Sequence, residues 1–259
     1  MKKTHSKKTH STEGEIWVSG INPVREALLG AQTSGSELLL ARSDARADEI
    51  AQLAAGRSIP VVRGDRERLS ALTGHSHHQG VALRMSEFPY AALEGLLEKP
   101  LADRDPLVVL DSIQDPRNLG AILRSACFLG AKGVVIPADR SAGLSASVIK
   151  VAAGASVYIP VARVTNVVRT LQSLKSAGYW VAGLEVRGSQ ACYEADLRVP
   201  LCLVIGNEQK GIRPLVRKEC DLLVRIPAAG PLDSLNAASA ATVALYEVLR
   251  QRLTEEAGT

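Results

Sequence analysis

The sequence predicts an α/β protein in two parts, the larger a parallel sheet covered by helices on both faces. From Leu107 onward, short apolar runs alternate with helical patterns. Strands that are apolar at nearly every position are those buried on both sides of a parallel sheet. A smaller version of the same alternation runs from Ile16 to Leu83. Between them lie Pro89, Pro100, Pro106 and the mixed-charge stretch Lys99 to Asp105, which read as a linker. The 259 residues suit one large domain or two small ones.

The elements follow in order. Residues 1–13 form a basic tail. In the segment 14–86, Ile16-Trp17-Val18 reads as a strand, and Asn22-Pro23 starts a helix that runs to Leu29. Leu38-Leu39-Leu40 is a buried strand. Asp44 caps a helix through Leu53, and Gly56 ends it. Val61-Val62 is a strand, a helix surrounds Leu69, and Val81-Ala82-Leu83 closes the unit. About 70 residues can form a core of their own. The linker, 87–104, carries one short helix around Ala91–Leu97. In the domain 105–254, strands are expected at Leu107–Leu110, Val134–Ile136, Val157–Ile159, Tyr179–Ala182, Leu201–Ile205 and Leu222–Ile226. The longest helix runs from Ser234 to about Leu253. These patterns describe a doubly wound open sheet with its ligand at the carboxyl ends of the strands. By the general rule for chain connections it is unknotted.

Composition removes several functions. Hydrophobic residues are 46% and charged residues 22%, an ordinary globular mix. No stretch approaches the ~20 apolar residues that span a bilayer. The start MKKTHSKKTHST has no apolar core of a secretory signal. Cys127, Cys192, Cys202 and Cys220 are scattered without a CxxC pair. This points to reduced thiols of a cytoplasmic protein rather than a zinc ribbon or redox pair. His75, His77 and His78 lack further ligands at zinc spacing. Net charge is +4, which permits a polyanionic partner without requiring one. Lys2, Lys3, Lys7 and Lys8 precede the first acidic residue, Glu13, so the tail can add non-specific phosphate affinity. Aromatics at 3% argue against stacking many bases on aromatic platforms. Neither GxGxxG nor a Walker loop follows any strand, which weakens a nucleotide-dependent oxidoreductase or ATPase.

Three stretches place polar residues where a core would not. In Leu110–Ala126, a strand ends in a Pro-containing turn and a helix begins near Arg117. Asn118 falls in its first turn, Gly120 allows close approach of a backbone or a ligand, and Arg124 lies about one and a half turns on. In Leu203–Ile212, a buried strand enters a loop bracketed by Gly206 and Gly211 that carries Glu208. Such glycines let backbone groups face a ligand closely. In Ile226–Asn236, a strand exits into a Gly/Pro loop; Ser234 is placed to cap the final helix, and Asn236 stands in its first turn.

Read together, N-x-G-x-x-x-R-S-A, I-G-N-E-x-x-G-I and I-P-x-x-G-x-x-x-S-L-N resemble the three motifs of the SpoU-type (SPOUT superfamily) RNA ribose 2′-O-methyltransferases, over residues 105–254. Gly20-x-Asn22-x-Val24-x-Glu26-Ala27 and His78-Gln79-Gly80-Val81 resemble the substrate-binding domain of the bacterial 23S rRNA guanosine-2′-O-methyltransferases of that family. Two positions depart from the usual pattern. Gln209 replaces the last glycine of G-N-E-G, and Ala228 stands where methionine is usual, with Ala237-Ala238 in place of Val-Ser.

The resemblance implies a SPOUT methyltransferase domain with a trefoil-knotted parallel sheet, preceded by a ribosomal-protein-like (L30e-like) RNA-binding domain. It implies S-adenosylmethionine as cofactor, no metal, large-subunit ribosomal RNA (23S) as partner, and a homodimer packed through the final helix, around Ala240-Ala241, Val243-Ala244 and Leu245. Arg124 would bind substrate phosphate and stabilise the developing alkoxide. Asn118, Glu208, Ser234 and Asn236 would orient the ribose, Arg124 and the cofactor loops. Backbone groups near Gly206, Ile226 and Leu235 would hold the cofactor. The alternatives are a tRNA or antibiotic-resistance rRNA 2′-O-methyltransferase, and a non-catalytic RNA-binding assembly factor on the same fold.

Overall fold

The computed structural model describes residues 16–29, 35–73, 76–85, 90–97, 105–153 and 155–257. The basic tail, His75 and most of the mixed-charge stretch lie outside these. The chain forms two compact units, residues 1–88 and 89–259.

The first unit runs β1 (Ile16–Ser19), α1 (Ile21–Leu29), β2 (Gly35–Leu40), α2 (Ala45–Ala55), β3 (Val61–Arg63), α3 (Arg66–Thr73) and β4 (Val81–Met85). Its sheet has the order β1-β4-β2-β3; β4 is antiparallel to β1 and β2, and β2 is parallel to β3. The apolar runs read as strands supply the buried Leu38, Leu39, Leu40, Val81, Ala82 and Leu83. Asp44 caps α2 by accepting the Ala47 N–H at 3.0 Å. The two motif stretches of this unit meet. The Ile21 N–H donates to Gln79 Oε1 at 2.9 Å, and the Gly20 N–H donates to the Val81 carbonyl at 3.1 Å. Gly80 has φ +78°, and a Cβ there would stand 3.2 Å from Arg42 Cβ, so this turn needs glycine. His78, only 1% exposed, accepts the Gly80 N–H on Nδ1 at 3.0 Å and sets Nε2 3.0 Å from Ser70 Oγ. It is a structural histidine.

The second unit runs α4 (Leu93–Leu97), β5 (Leu107–Asp111), α5 (Pro116–Phe128), β6 (Gly133–Pro137), α6 (Ala146–Ala152), α7 (Ala155–Tyr158), β7 (Val161–Val164), α8 (Val167–Ser176), β8 (Trp180–Leu184), β9 (Gln190–Ala191), β10 (Leu201–Gly206), α9 (Pro214–Glu219), β11 (Leu222–Arg225) and α10 (Ala237–Ala257). Its seven strands, all parallel, have the order β7-β6-β5-β10-β8-β11-β9. Side chains alternate between two cores. Val108, Leu110, Leu203 and Ile205 join Leu119, Ile122 and Leu123 of α5 and Ala241 and Leu245 of α10. Leu107, Val109, Cys202 and Val204 join Leu171 and Leu174 of α8 and Val216 of α9.

Three expectations change, and one strand, β9, lies outside them. The strand expected at Val157–Ile159 is the helix α7, and the strand follows at Val161–Val164. A three-residue apolar run does not separate helix from strand, and Pro160 marks the boundary between them. The two-residue β9 is too short for any pattern to signal. Part of the expected linker belongs to this unit: Ala91 N–H donates to the Val161 carbonyl at 2.8 Å, and Leu96 is buried. The final helix begins at Ala237 rather than Ser234, because Asn236 supplies the cap. Its Oδ1 accepts the Ala238 N–H at 2.9 Å.

Candidate active site

From β5 the chain winds to β6 and β7 on one side; β10, β8 and β11 lie on the other. The direction of winding therefore switches between β5 and β10, where open parallel sheets form a crevice at the carboxyl ends of their strands. Asp111 and Gly206 are paired in register at that edge.

Three chain segments meet there. Asp115 accepts the Arg117 N–H at 2.8 Å and Pro116 opens α5, so the cap sets Asn118 in the first turn, nearly buried. Asn118 Nδ2 donates to Glu208 Oε1 at 2.6 Å, from the loop after β10. Asn236 Nδ2 donates to Asn118 Oδ1 at 2.9 Å, from the loop before α10. The polarity is consistent along the relay. The carboxylate can only accept, so Asn118 turns its NH2 toward Glu208 and its oxygen toward Asn236, whose own oxygen caps α10.

The 206–212 loop is held by its own backbone. Asn207 and Gly211 exchange both N–H···O bonds at 3.0 and 2.9 Å. Asn207 Oδ1 accepts the N–H groups of Gln209 and Lys210 at 3.0 and 3.1 Å, while its Nδ2 donates to the Ser112 carbonyl at 2.8 Å. Asn207 is thus a structural partner that the expected site lacked, although it stands within the quoted I-G-N-E motif. The departure at Gln209 costs nothing conformationally. Gln209 is not among the residues with positive φ; Gly211, at +67°, is. A Cβ on Gly206 would fall 2.3 Å from the Gly211 carbonyl carbon, so its bare face admits the loop's own backbone rather than a ligand. Gly120 is settled the same way. A Cβ there would stand 2.7 Å from Val151 Cβ and 2.8 Å from the Val148 carbonyl, so this glycine lets α6 approach α5.

Two expected residues stand apart from the relay. Ser234 is exposed within the wholly exposed loop 227–236. Arg124 is exposed, and no hydrogen bond or ion pair ties it to another described residue. Six residues along the helix separate it from Asn118 by ~9 Å of rise and a third of a turn. Gly206, Ile226 and Leu235 lie at or beyond the carboxyl edge. Leu184 of β8 is in register with both Ile205 and Val224, so the exits of β10 and β11 are two strand spacings apart, ~10 Å. The N–H groups of Ile226 and Leu235 donate to no other backbone carbonyl among the described residues.

Burial pushes the Cys202 thiol up and the Cys220 thiol up to about 12, so neither is a ready nucleophile. No group of three or more His, Cys, Asp or Glu among the described residues is placed to hold a metal. No helix among them is long and apolar enough to cross a membrane. A cavity of about 400 Å³, lined by Tyr193, Asp196, Arg198 and Arg250 among others, shares no residue with the relay.

Comparison with known proteins gives a consistent answer. Residues 105–246 match the SpoU rRNA Methylase family, and residues 17–91 match a family described as RNA 2'-O ribose methyltransferase substrate binding. An uncharacterized tRNA/rRNA methyltransferase of Mycolicibacterium smegmatis is 44% identical over 240 residues, covering 91% of this chain and 76% of that protein. The 23S rRNA (guanosine-2'-O-)-methyltransferase RlmB of Xanthomonas axonopodis pv. citri is 41% identical over 242 residues, covering 92% and 97%. Among solved structures, the SpoU methyltransferase AviRb of Streptomyces viridochromogenes superposes with a TM-score of 0.82 at 27% identity, covering 93% of this chain and 91% of that one. The same protein in complex with the cofactor AdoMet gives 0.80.

Proposed function

The chain belongs to the SpoU rRNA Methylase family, and from that premise we infer that it is an S-adenosylmethionine-dependent RNA ribose 2′-O-methyltransferase acting on a guanosine of 23S ribosomal RNA. The observation that carries the reading is the relay Glu208–Asn118–Asn236, which ties all three motifs into one edge of the sheet. The 41% identity to a 23S rRNA guanosine enzyme over nearly its whole length supports the choice of substrate.

The residues present suit the cofactor. S-adenosylmethionine offers an adenine edge that needs backbone donors and acceptors. The N–H groups of Ile226 and Leu235, unbonded to any other described backbone, and the exposed side chains of Leu232 and Leu235 offer such a surface on the loop that leaves the carboxyl edge after β11. When bound, the cofactor supplies an activated methyl group on a sulfonium. The protein's own task is positioning and charge stabilisation. A guanidinium is a cation and a poor base, so Arg124 acts through its charge. It grips the phosphate next to the target ribose and stabilises the 2′-oxygen as it loses its proton to that phosphate or to water. Glu208, Asn118 and Asn236 hold the loops that present the ribose, and Ser234 adds a hydroxyl from the exposed loop.

The finer architecture follows the same reading. The C-terminal unit is a trefoil knot, a reading supported by the insertion of β10 between β5 and β8 and by the return of the 227–236 loop to α5. The N-terminal unit is an L30e-like RNA-binding domain; its mixed four-stranded sheet and its match to the substrate-binding family support this. The two domains are 14–86 and 105–254, the second extended by the linker helix Leu93–Leu97 that packs on it. The protein works as a cytoplasmic homodimer. Ala241, Ala244 and Leu245 face their own core, so the interface is not built from them. Val243, Tyr246 and Leu253 make an exposed stripe on the other face of α10, and Phe128 at the end of α5 is 86% exposed. A second copy covering that stripe would also offer partners to Arg124, which has no hydrogen bond or ion pair among the described residues.

The test is methyl transfer from S-adenosylmethionine to purified large-subunit RNA, with the product mapped by 2′-O-methyl sequencing. One new 2′-O-methylguanosine in 23S RNA is expected. No transfer and no cofactor binding by the folded protein would reject the reading.

A further inference from the structure

Asp111 ends β5 with its carboxylate wholly buried, and nothing in the reaction described above uses it. Alternation along β5 tells which face it occupies. Val108 and Leu110 join the α5/α10 core, while Leu107 and Val109 join the α8/α9 core. Asp111 therefore points to the α8/α9 side, opposite the Glu208–Asn118–Asn236 relay. Among the described residues its carboxylate is met by Arg213, and the contact is threefold. Asp111 Oδ2 accepts the Arg213 backbone N–H at 2.7 Å, and Oδ1 accepts from Arg213 Nε and lies against Nη2, both at 2.6 Å.

Arg213 follows directly on the 206–212 loop. At the loop's other end, Asn207 donates to the carbonyl of Ser112, the neighbour of Asp111, which adopts a left-handed φ of +69°. Two consecutive residues of β5's exit thus pin both feet of the loop, and Glu208 stands between the feet. The loop wraps the sheet edge: it is anchored on one face and delivers its carboxylate to the other.

We propose that Asp111 is a positioning residue for methyl transfer, acting across the sheet edge by clamping Arg213 so that the 206–212 loop holds Glu208 against Asn118. The proposal rests on the functional reading above. A buried carboxylate clamped by a half-exposed arginine is costly to break from either side, since the remaining charge is left unpaired. The clamp therefore gives the loop two states, seated and released, rather than a continuum.

Two measurements on the full chain test this. The first is amide hydrogen exchange, which needs no turnover. In Asp111→Asn and in Arg213→Lys, exchange across 207–211 should quicken roughly tenfold or more, with protection of β5 and β10 retained. The second is a double-mutant cycle in the methyl-transfer assay. Asp111→Asn should lower kcat by about tenfold or more at nearly unchanged KM for RNA, yet add little once Glu208→Gln is present. Arg213→Lys carries both measurements should Asp111→Asn fail to fold. Unchanged exchange in the loop, or a full additive loss in the Glu208→Gln background, would overturn the proposal. An inactive wild type would instead reject the functional reading and leave the exchange result to decide the clamp.

Discussion

Asn236 Nδ2 donates to Asn118 Oδ1 at 2.9 Å across 118 positions of sequence, and Asn118 passes the polarity on to Glu208 at 2.6 Å. One side chain thus serves as both donor and acceptor between two loops. Asn118→Ala leaves a carboxylate oxygen and an amide without these partners at a partly buried site, which costs about 1–3 kcal/mol. Asn118→Asp is worse for activity, because a second carboxylate then faces Glu208. Urea denaturation should rank Asn118 above both variants, and methyl transfer should fall further in Asp than in Ala. Equal stability of all three would contradict a relay.

Arg124 tests the opposite case. It is exposed and makes no hydrogen bond or ion pair among the described residues. Arg124→Ala should therefore change stability by no more than ~0.5 kcal/mol. Cofactor affinity should be nearly unchanged and methyl transfer lost. Arg124→Lys should recover only part of the rate, since an ammonium lacks the planar fork that grips a phosphate. Full activity of the alanine variant would remove Arg124 from the reaction.

The legible part of this protein was its alternation. Continuous apolar runs such as Leu201–Ile205 become buried parallel strands because only such a strand can face two layers of helices. Asp44 is legible as a helix start because capping is a local matter. What escaped was non-local. Ser234 and Asn236 offer the same type of side chain for a cap, and the choice of Asn236 is set by its bond to Asn118 from a distant helix. Gly120 admits a backbone or a ligand by sequence, and Gly206 reads as facing a ligand; in both the neighbouring backbone fills the space. Nothing local marks Asp111, whose role depends on Arg213, 102 positions on.

Gly120 gives a prediction of stability alone. An alanine Cβ would press on Val151 Cβ at 2.7 Å and on the Val148 carbonyl at 2.8 Å. The carbonyl belongs to a helix and cannot give way without moving α6. Overpacking of this kind costs typically about 1–3 kcal/mol, despite alanine's better helix propensity. Thermal unfolding of Gly120→Ala should show a lowered Tm. A raised Tm would mean that α6 shifts freely, contrary to the close contact.

His78 makes the stability of the N-terminal unit depend on pH. Its ring is buried, and desolvation first, then the charge of Arg66, hold its pKa below the ordinary histidine value of 6.5. Nδ1 is occupied as an acceptor for the Gly80 N–H, so a second ring proton would break that bond and put a cation in the core. Between the depressed folded value and 6.5, the unfolded chain binds more protons than the folded one, so stability rises with pH across that window. The neutral-ring stability is complete above 6.5 and is lost as pH falls toward the folded value. His78→Gln removes the titration. Urea midpoints of the N-terminal transition, followed from pH 8 downward, should decline near and below 6.5 in the wild type. In the variant this contribution should vanish, whatever its starting stability. The same acid slope in His78→Gln would assign the effect to another group.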